Sequence, residues 1–207
     1  MRKIGSLRRR VLRLLLIAVI AGLSSSMVAG TAQAHHNTGA FGSSFADGDL
    51  MTLADDWGDH FGELGNSLCY RCADSWNTDL VMMWQAILYA EDLLAKSGID
   101  GQFGPATRDA TKLWQDRYDL PVDGQVGPMT WDRADDGLNW MASGQAVGYR
   151  ASTGGWVYFE RGESVTYNPY DAGAYRLLSA VNGSRSRAWL DNSDHRIHFF
   201  KKTITVS

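Results

Sequence analysis

The chain has 207 residues, of which 20 are Lys or Arg, 23 are Asp or Glu and two are Cys, giving a net charge of −3. The first 34 residues hold six Lys or Arg and no acid, so the remainder carries 14 basic against 23 acidic residues, a net charge of −9. A surface of that sign repels polyanions, which argues against nucleic acid and anionic lipid as partners.

Residues 1–13 are basic, LLLIAVIAGL from Leu14 is apolar, and the stretch ends in Ala32-Gln33-Ala34. That order predicts a secretory signal peptide over 1–34, cut between Ala34 and His35. The apolar run is too short for a stable anchor across a bilayer core of ~30 Å, and nothing later in the chain is apolar enough to span one. Arg8-Arg9-Arg10-Val11-Leu12-Arg13 loosely fits the twin-arginine pattern, so the Sec and twin-arginine routes both stay open. The expected product is secreted, with no membrane association after cleavage.

Residues 35–72 form the next stretch. HHNTGAFGSSFADG is small, polar and glycine-rich, the composition of a flexible arm. Leu50, Leu53, Trp57, Phe61 and Leu64 then recur at the spacing of a short amphipathic helix. Cys69 and Cys72 are the only thiols, and in an exported protein a disulfide between them is expected. A redox Cys-x-x-Cys would want a βαβ neighbourhood, and a zinc site including His60 would want further ligands; the sequence offers neither.

Residues 73–140 contain a repeat. Val81, Trp84, Leu88 and Ala95 lie on one stripe of a helix that begins after Asn77 or Thr78 and stops at Gly98, with Glu91 on its outer face. IDGQFGPATRDA from Ile99 then returns as VDGQVGPMTWDR from Val122. Within it Asp100, Gly101, Gly104 and Thr107 correspond to Asp123, Gly124, Gly127 and Thr130. Asp-Gly turns the chain, because Gly accepts positive φ and the Asp side chain holds the turning backbone. Pro105 and Pro128 suit the first position of a helix. Each copy therefore predicts a turn that starts a helix, from Pro105 to about Arg117 and from Pro128 to about Leu138. Three short helices with short links make a compact bundle.

Residues 143–207 change texture. AVGYR, GWVYFER, SVTY, AYRLLSAV, RAWLDN and RIHFFKKTITVS are rich in aromatic and β-branched residues and are separated by Gly, Asn and Pro. They predict a small all-β domain, a sandwich or barrel. The whole reads as an α+β multidomain chain.

Val81-x-x-Trp84-Gln85-x-x-Leu88, both repeat copies, Trp114-Gln115 between them and Leu120-Pro121 before the second together resemble the three-helix peptidoglycan-binding domain. The resemblance covers about residues 76–138. Two positions depart from the family pattern: Asp119 stands where Gly is usual, and Thr111 where Val is common. The resemblance implies binding to bacterial cell wall, with peptidoglycan as the partner through glycan strand or stem peptide.

A wall polymer needs a shallow groove with aromatic faces and hydrogen-bonding side chains. Gln102, Phe103, Arg108, Tyr118, Gln125 and Trp131, on or just after the turns, are the candidate contacts, with burial in the core as the competing role of the aromatics. No catalytic residue, metal site or cofactor is expected. His195 and His198 in a strand would point to opposite faces, and no Cys follows Cys72. Glu160, Glu163, Asp171 and Asp191 read as solvated surface. Tyr149, Trp156, Tyr158, Phe159, Tyr167, Tyr170 and Trp189 supply a β core, with a second carbohydrate-binding face as the alternative. The expectation is a secreted, non-catalytic wall-binding protein. Two readings compete with it: a cell-wall hydrolase with its active site in the β domain, and a wall-anchored interaction protein presenting that domain.

Overall fold

The computed structural model describes residues 45–46, 57, 68–73, 75–141, 146–161, 175–192 and 195–207. The signal peptide, its cleavage site, the flexible arm and, apart from Trp57, the amphipathic helix expected over 50–64 lie outside the described residues, as does the SVTY run. From Phe45 onward the described residues belong to one compact unit.

The elements run β1 (Phe45–Ala46), α1 (Asp79–Ala90), a 3-10 turn (Lys96–Gly98), α2 (Pro105–Arg117), α3 (Pro128–Asp135), β2 (Leu138–Trp140), β3 (Ala146–Arg150), β4 (Trp156–Arg161), β5 (Tyr175–Val181), β6 (Arg187–Asn192), β7 (Ile197–His198) and β8 (Ile204–Val206). Strands β2-β3-β4-β5-β6-β8 form a six-stranded antiparallel sheet, and β1 pairs with β7. The chain is thus helices followed by an antiparallel sheet, an α+β fold. Among the described residues no helix is long and apolar enough to cross a membrane.

Helix α1 dictates how the rest is arranged. It begins at Thr78, whose hydroxyl accepts from the Val81 N–H (3.3 Å). Every one of its residues is buried. A helix that is buried all round needs cover on all sides. Helix α2 contacts it, and strands β4, β5 and β7 contact it too. The described strands therefore form no sandwich or barrel; their apolar side chains Val157, Phe159, Leu177 and Ala188 join α1 in one continuous core. Helical and β segments share that core across the texture change at 140–143. Trp57 adds a further piece, fully buried against Trp131, Tyr149, Phe159 and Tyr175, with its backbone N–H donated to the Asp135 carboxylate (3.2 Å).

The end of α1 is closed by the loop between β3 and β4. Thr153 donates its hydroxyl to the Ala90 carbonyl (2.7 Å), satisfying one of the helix's orphan acceptors. A Cβ on Gly155 would run into that same carbonyl. Glu91, the C-cap, is wholly inaccessible, in place of an exposed position on the outer helix face. Its carboxylate accepts from the hydroxyls of Tyr118 (2.6 Å), Tyr149 (2.7 Å) and Ser152 (2.6 Å) and from Arg117 (2.8 Å). Burial pushes its pKa up, but the hydrogen bonds from Ser152, Tyr118 and Tyr149 outweigh that and hold it below the usual value. The same burial, beside the Glu91 charge, raises Tyr149 well above its ordinary value. At the other end of α1, Asp79 is equally buried. It accepts from the N–H groups of His198 (3.2 Å), Thr203 (2.6 Å) and Ile204 (2.9 Å), tying β7 and β8 to the helix start.

The two repeat phrases are held from inside. Gln85 presents its amide oxygen to the N–H groups of Asp100 (2.9 Å) and Gly101 (2.8 Å). Its amide nitrogen faces the Asp100 carboxylate (2.9 Å), the Gln102 carbonyl (3.0 Å) and the Thr107 hydroxyl (3.1 Å). Gln115 treats the second phrase alike: its oxygen accepts from Gly124 (2.8 Å), and its nitrogen faces Asp123 (2.8 Å), the Gln125 carbonyl (2.8 Å) and Thr130 (3.2 Å). Gly101 and Gly124 both have positive φ, 81° and 74°. Helices α2 and α3 start at Pro105 and Pro128, with Gly104 and Gly127 as N-caps in ordinary extended conformation.

Two helix ends depart from the sequence expectation. Helix α1 stops at Ala90, eight residues before Gly98, because Asp92 takes a left-handed φ of 57°. Helix α3 stops at Asp135, because Leu138 pairs with Tyr149 as the start of β2. Asp119 adopts the left-handed conformation, at φ 56°, that a Gly there would take freely. Thr111 is fully buried and accepts from the Trp84 indole N–H (2.9 Å), a role Val could not fill.

Two outcomes are expected of this architecture. Glu91→Gln should cost about 2–3 kcal/mol in denaturant unfolding at neutral pH, since it weakens a buried, charge-assisted network. Because the Glu91 pKa is lower in the folded chain, its stabilisation is complete above the unfolded value of ~4.3 and is lost as pH falls through the folded value. The gap between wild type and variant should therefore shrink on acidification; a gap independent of pH would contradict the assignment. Secondly, Gly101→Ala should destabilise more than Gly124→Ala. Both are strained at positive φ, but a Cβ at 101 meets the Thr78 carbonyl at 3.2 Å, whereas at 124 it meets the flexible Lys112 and Arg108 side chains. Equal melting temperatures for the two variants would contradict this.

Candidate functional site

A strap of chain leading into α1 lies across both repeat phrases. Leu68 and Val126 exchange backbone hydrogen bonds (3.1 and 2.9 Å). Seven residues later the Ser75 carbonyl accepts from the Phe103 N–H (3.0 Å), and Trp76 bridges Gln102. Val126 and Phe103 hold the same place in the two phrases, so the strap binds both copies at equivalent positions. Between these anchors the disulfide Cys69–Cys72 closes a turn, with Cα atoms 5.4 Å apart, in which the Cys72 N–H donates to the Cys69 carbonyl (3.2 Å). The Ser75 hydroxyl accepts from the Cys69 N–H (2.9 Å) and braces it.

This strap brings two aromatics to the surface. Trp76 is 59% exposed. The half-buried Tyr70 ring has the Arg71 guanidinium 5.1 Å from its centre and that of Arg108 5.5 Å away. Arg108 in turn pairs with Asp109 (2.7 Å) and keeps about a third of its side chain accessible. Its aliphatic stem passes the second phrase, where a Cβ on Gly124 would lie 3.0 Å from it. Gln125 follows, exposed, while Gln102 sits half-buried beside Trp76. The strap thus carries Trp76 beside Gln102 at one phrase and Tyr70 beside Arg108 near Gln125 at the other, offering ring surfaces, amide groups that both donate and accept, and a guanidinium.

The other candidate contacts lie elsewhere. Phe103 and Trp131 are 1% and 0% exposed. Trp131 packs edge-on to Trp84, with centroids 5.3 Å apart, and Phe103 belongs to the same core. Both are core side chains, for the reason that weighed against them as contacts: a small bundle buries its largest rings. Tyr118 turns its hydroxyl to Glu91 and its ring to Trp114, 4.4 Å away, with Arg133 over it at 4.7 Å. Burial, followed by the hydrogen bond to Glu91, raises its pKa. Asp100 and Asp123 each turn one carboxylate oxygen, and Thr107 and Thr130 their hydroxyls, to the Gln85 and Gln115 amides. His195 stands before β7 in left-handed backbone (φ 62°), and the His198 N–H is bound by Asp79. Among the described residues no group of three or more His, Cys, Asp or Glu could hold a metal ion.

Sequence reasoning missed Tyr70 and Trp76 as surface aromatics and Gln85 and Gln115 as the clamps. The second pair had a signal, because Trp-Gln precedes each copy, at 84–85 and 114–115. The first had only a weak one, two rings in the segment flanking the Cys pair.

Comparisons with known proteins bear on this face. Zinc D-Ala-D-Ala carboxypeptidase of Streptomyces albus G is 49% identical over 39 residues, 19% of this chain and 15% of that enzyme. The matched part is thus a small share of the relative's length. No solved structure matches. A family described as putative peptidoglycan binding domain matches residues 77–133, and the strands from β2 onward match no family. Helices α1 and α2, most of α3 and both repeat phrases thus lie within the residues that this family model matches.

Proposed function

We propose that the chain is an exported, non-catalytic protein that holds bacterial peptidoglycan on the face formed by Tyr70, Trp76, Gln102, Arg108 and Gln125. The family match over 77–133 carries this reading, since it covers both repeat phrases, from which Gln102, Arg108 and Gln125 of that face come. The chemistry supports it. Exposed rings stack on the apolar faces of sugars or on peptide side chains, and amides and a guanidinium meet hydroxyl, carbonyl and carboxylate groups. A signal peptide cut between Ala34 and His35 would deliver the protein to the wall.

A second reading, a cell-wall hydrolase, draws support from the relative named a zinc D-Ala-D-Ala carboxypeptidase. The matched segment is small against that enzyme's length, whereas the family match covers both repeat phrases, and binding without turnover is the reading we carry forward.

The experiment uses residues 35–207 whole, because the module alone would strip α1 of its sheet. Mixed with purified sacculi, the protein should pellet, release no fragments and stay bound at moderate salt, since an acidic protein on a mixed-charge polymer does not depend on counterion release. Trp76→Ala and Gln125→Ala should each weaken retention about tenfold with unchanged melting, the size of effect typical of an interface anchor. Retention unaffected by either variant would contradict the assigned face, and chelator-sensitive release of fragments would favour the hydrolase. Mass spectrometry of the exported protein should give His35 as its first residue; a chain still beginning at Met1 would contradict the export step.

A further inference from the structure

On the side of the sheet away from α1, five side chains stack in sequence across three strands. The Arg150 guanidinium lies 5.9 Å from the centre of the Trp156 ring. Trp156 stacks on Tyr158, with centroids 6.3 Å apart and planes 23° from parallel. Arg187 then lies over Tyr158 (5.4 Å) on one side and over Trp189 (4.8 Å) on the other. The strand register produces this order. Arg150 faces Trp156, Tyr158 faces Ser179, and Ser179 faces Trp189.

The stack is built into the fold. A Cβ on Gly148 would lie 2.8 Å from the Trp156 ring, so the absence of a side chain there lets the indole lie on the sheet. Arg187 is fixed by donating to the Ser179 hydroxyl (3.0 Å) as well as by its two rings. At the end of the row Trp189 is 58% exposed, an unusual surface position for the largest side chain.

Beside the stack is an open cleft of about 770 Å³, lined on one side by Asp92, Lys96 and the end of α1, and on the other by Asn182, Ser186 and Arg187. Arg187 belongs to both. The cleft therefore offers charges of both signs, an amide and a hydroxyl, a mixture suited to a ligand that donates and accepts many hydrogen bonds without a strong net charge. Flat apolar faces with polar rims match a chain of sugar rings: each ring has a C–H face for stacking and equatorial polar groups at its edge. Single-stranded nucleic acid also stacks on aromatic and Arg side chains. The net charge of −9 expected after signal cleavage repels it.

We propose that this outer face of the sheet is a second binding surface and that its ligand is a glycan strand. The assignment rests on the wall-binding reading only for the polymer that supplies the strand. Under it, the exposed Trp189 ring stacks on a sugar, the row of Tyr158 and Trp156 continues the surface with its edges, and Arg187 and Arg150 donate to the sugar's polar groups.

The test is a titration of residues 35–207 with soluble peptidoglycan glycan strands freed of their stem peptides, followed by tryptophan fluorescence and calorimetry. Wild type should bind, Trp189→Ala should lose about tenfold or more in affinity, and Trp189→Phe, which keeps a ring, should recover most of it. Trp189 is an exposed side chain, and unchanged melting of Trp189→Ala would tie its loss to the surface. No binding of strands by the wild type, or equal affinity in Trp189→Ala, overturns the proposal. So does Trp189-dependent binding of oligo-dT in place of strands. Retention on intact sacculi, measured beside the titration, separates the two readings. Sacculi held but free strands refused would sink the sheet assignment alone, whereas strands bound with no dependence of sacculus retention on Trp76 would sink the helical one.

Discussion

Helix α1 has no side that faces water, and that constraint organises the molecule. Buried along its whole length, it could not exist as the outer helix of a free-standing bundle, because its apolar surface would be left uncovered. Helix α2 and strands β4, β5 and β7 supply the cover. Both ends of the helix are then tied to the sheet by polar groups. Asp79 binds backbone N–H groups from the last strands, and Glu91 gathers Tyr118, Tyr149, Ser152 and Arg117 around one carboxylate. Such a buried charge is tolerable only because its hydrogen bonds are complete, so it fixes where helix and sheet meet. The helical module is in this sense part of a larger unit, and the sheet serves it first as the other half of its core.

The twice-written phrase belongs to the fold. Each copy wraps around one buried glutamine amide, which reads the Asp, the Gly N–H, the Gln carbonyl and the Thr hydroxyl at once. Those are the positions that recur, and one carboxylate oxygen of each Asp and both Thr hydroxyls turn inward to that amide. What remains for a ligand is the outside of the two loops: the Gln102 and Gln125 side chains, with Arg108 on the helix between them. The disulfide-braced strap adds Tyr70 and Trp76. It runs over both copies at the same register, so the exposed face is composite, made by the repeat and by the segment that precedes it.

Helix starts were legible because they rest on local chemistry. Thr78 caps, Pro105 and Pro128 take the first helical position, and Asp-Gly turns need positive φ at Gly101 and Gly124. Strand runs were legible too, from alternation in WVYFER and YRLLSAV. What could not be read locally was set by packing over long sequence separations. Nothing in LVMMWQAILYA distinguishes a helix buried on all sides from one buried on a stripe until the sheet is known. For the same reason Glu91, polar and next to Asp92, read as surface although it sits where helix and sheet converge. Trp57 read as one member of an amphipathic pattern, whereas its ring plugs the junction of Trp131, Tyr149, Phe159 and Tyr175. Phe103 and Trp131 follow the same logic, since nearness to a turn says little about which way a large ring points.

Two surfaces on opposite structural parts would give the protein more than one hold on a repeating polymer. Two weak contacts joined in one rigid unit raise the local concentration of the second site once the first is engaged. The helical face remains the central claim, and hydroxyl-radical footprinting of residues 35–207, free and bound to sacculi, tests it most directly. Trp76 and Tyr70 should lose reactivity on binding, while the exposed Trp140 on the edge strand β2 keeps its own. Unchanged modification of Trp76 in protein that has pelleted with the wall would contradict the account.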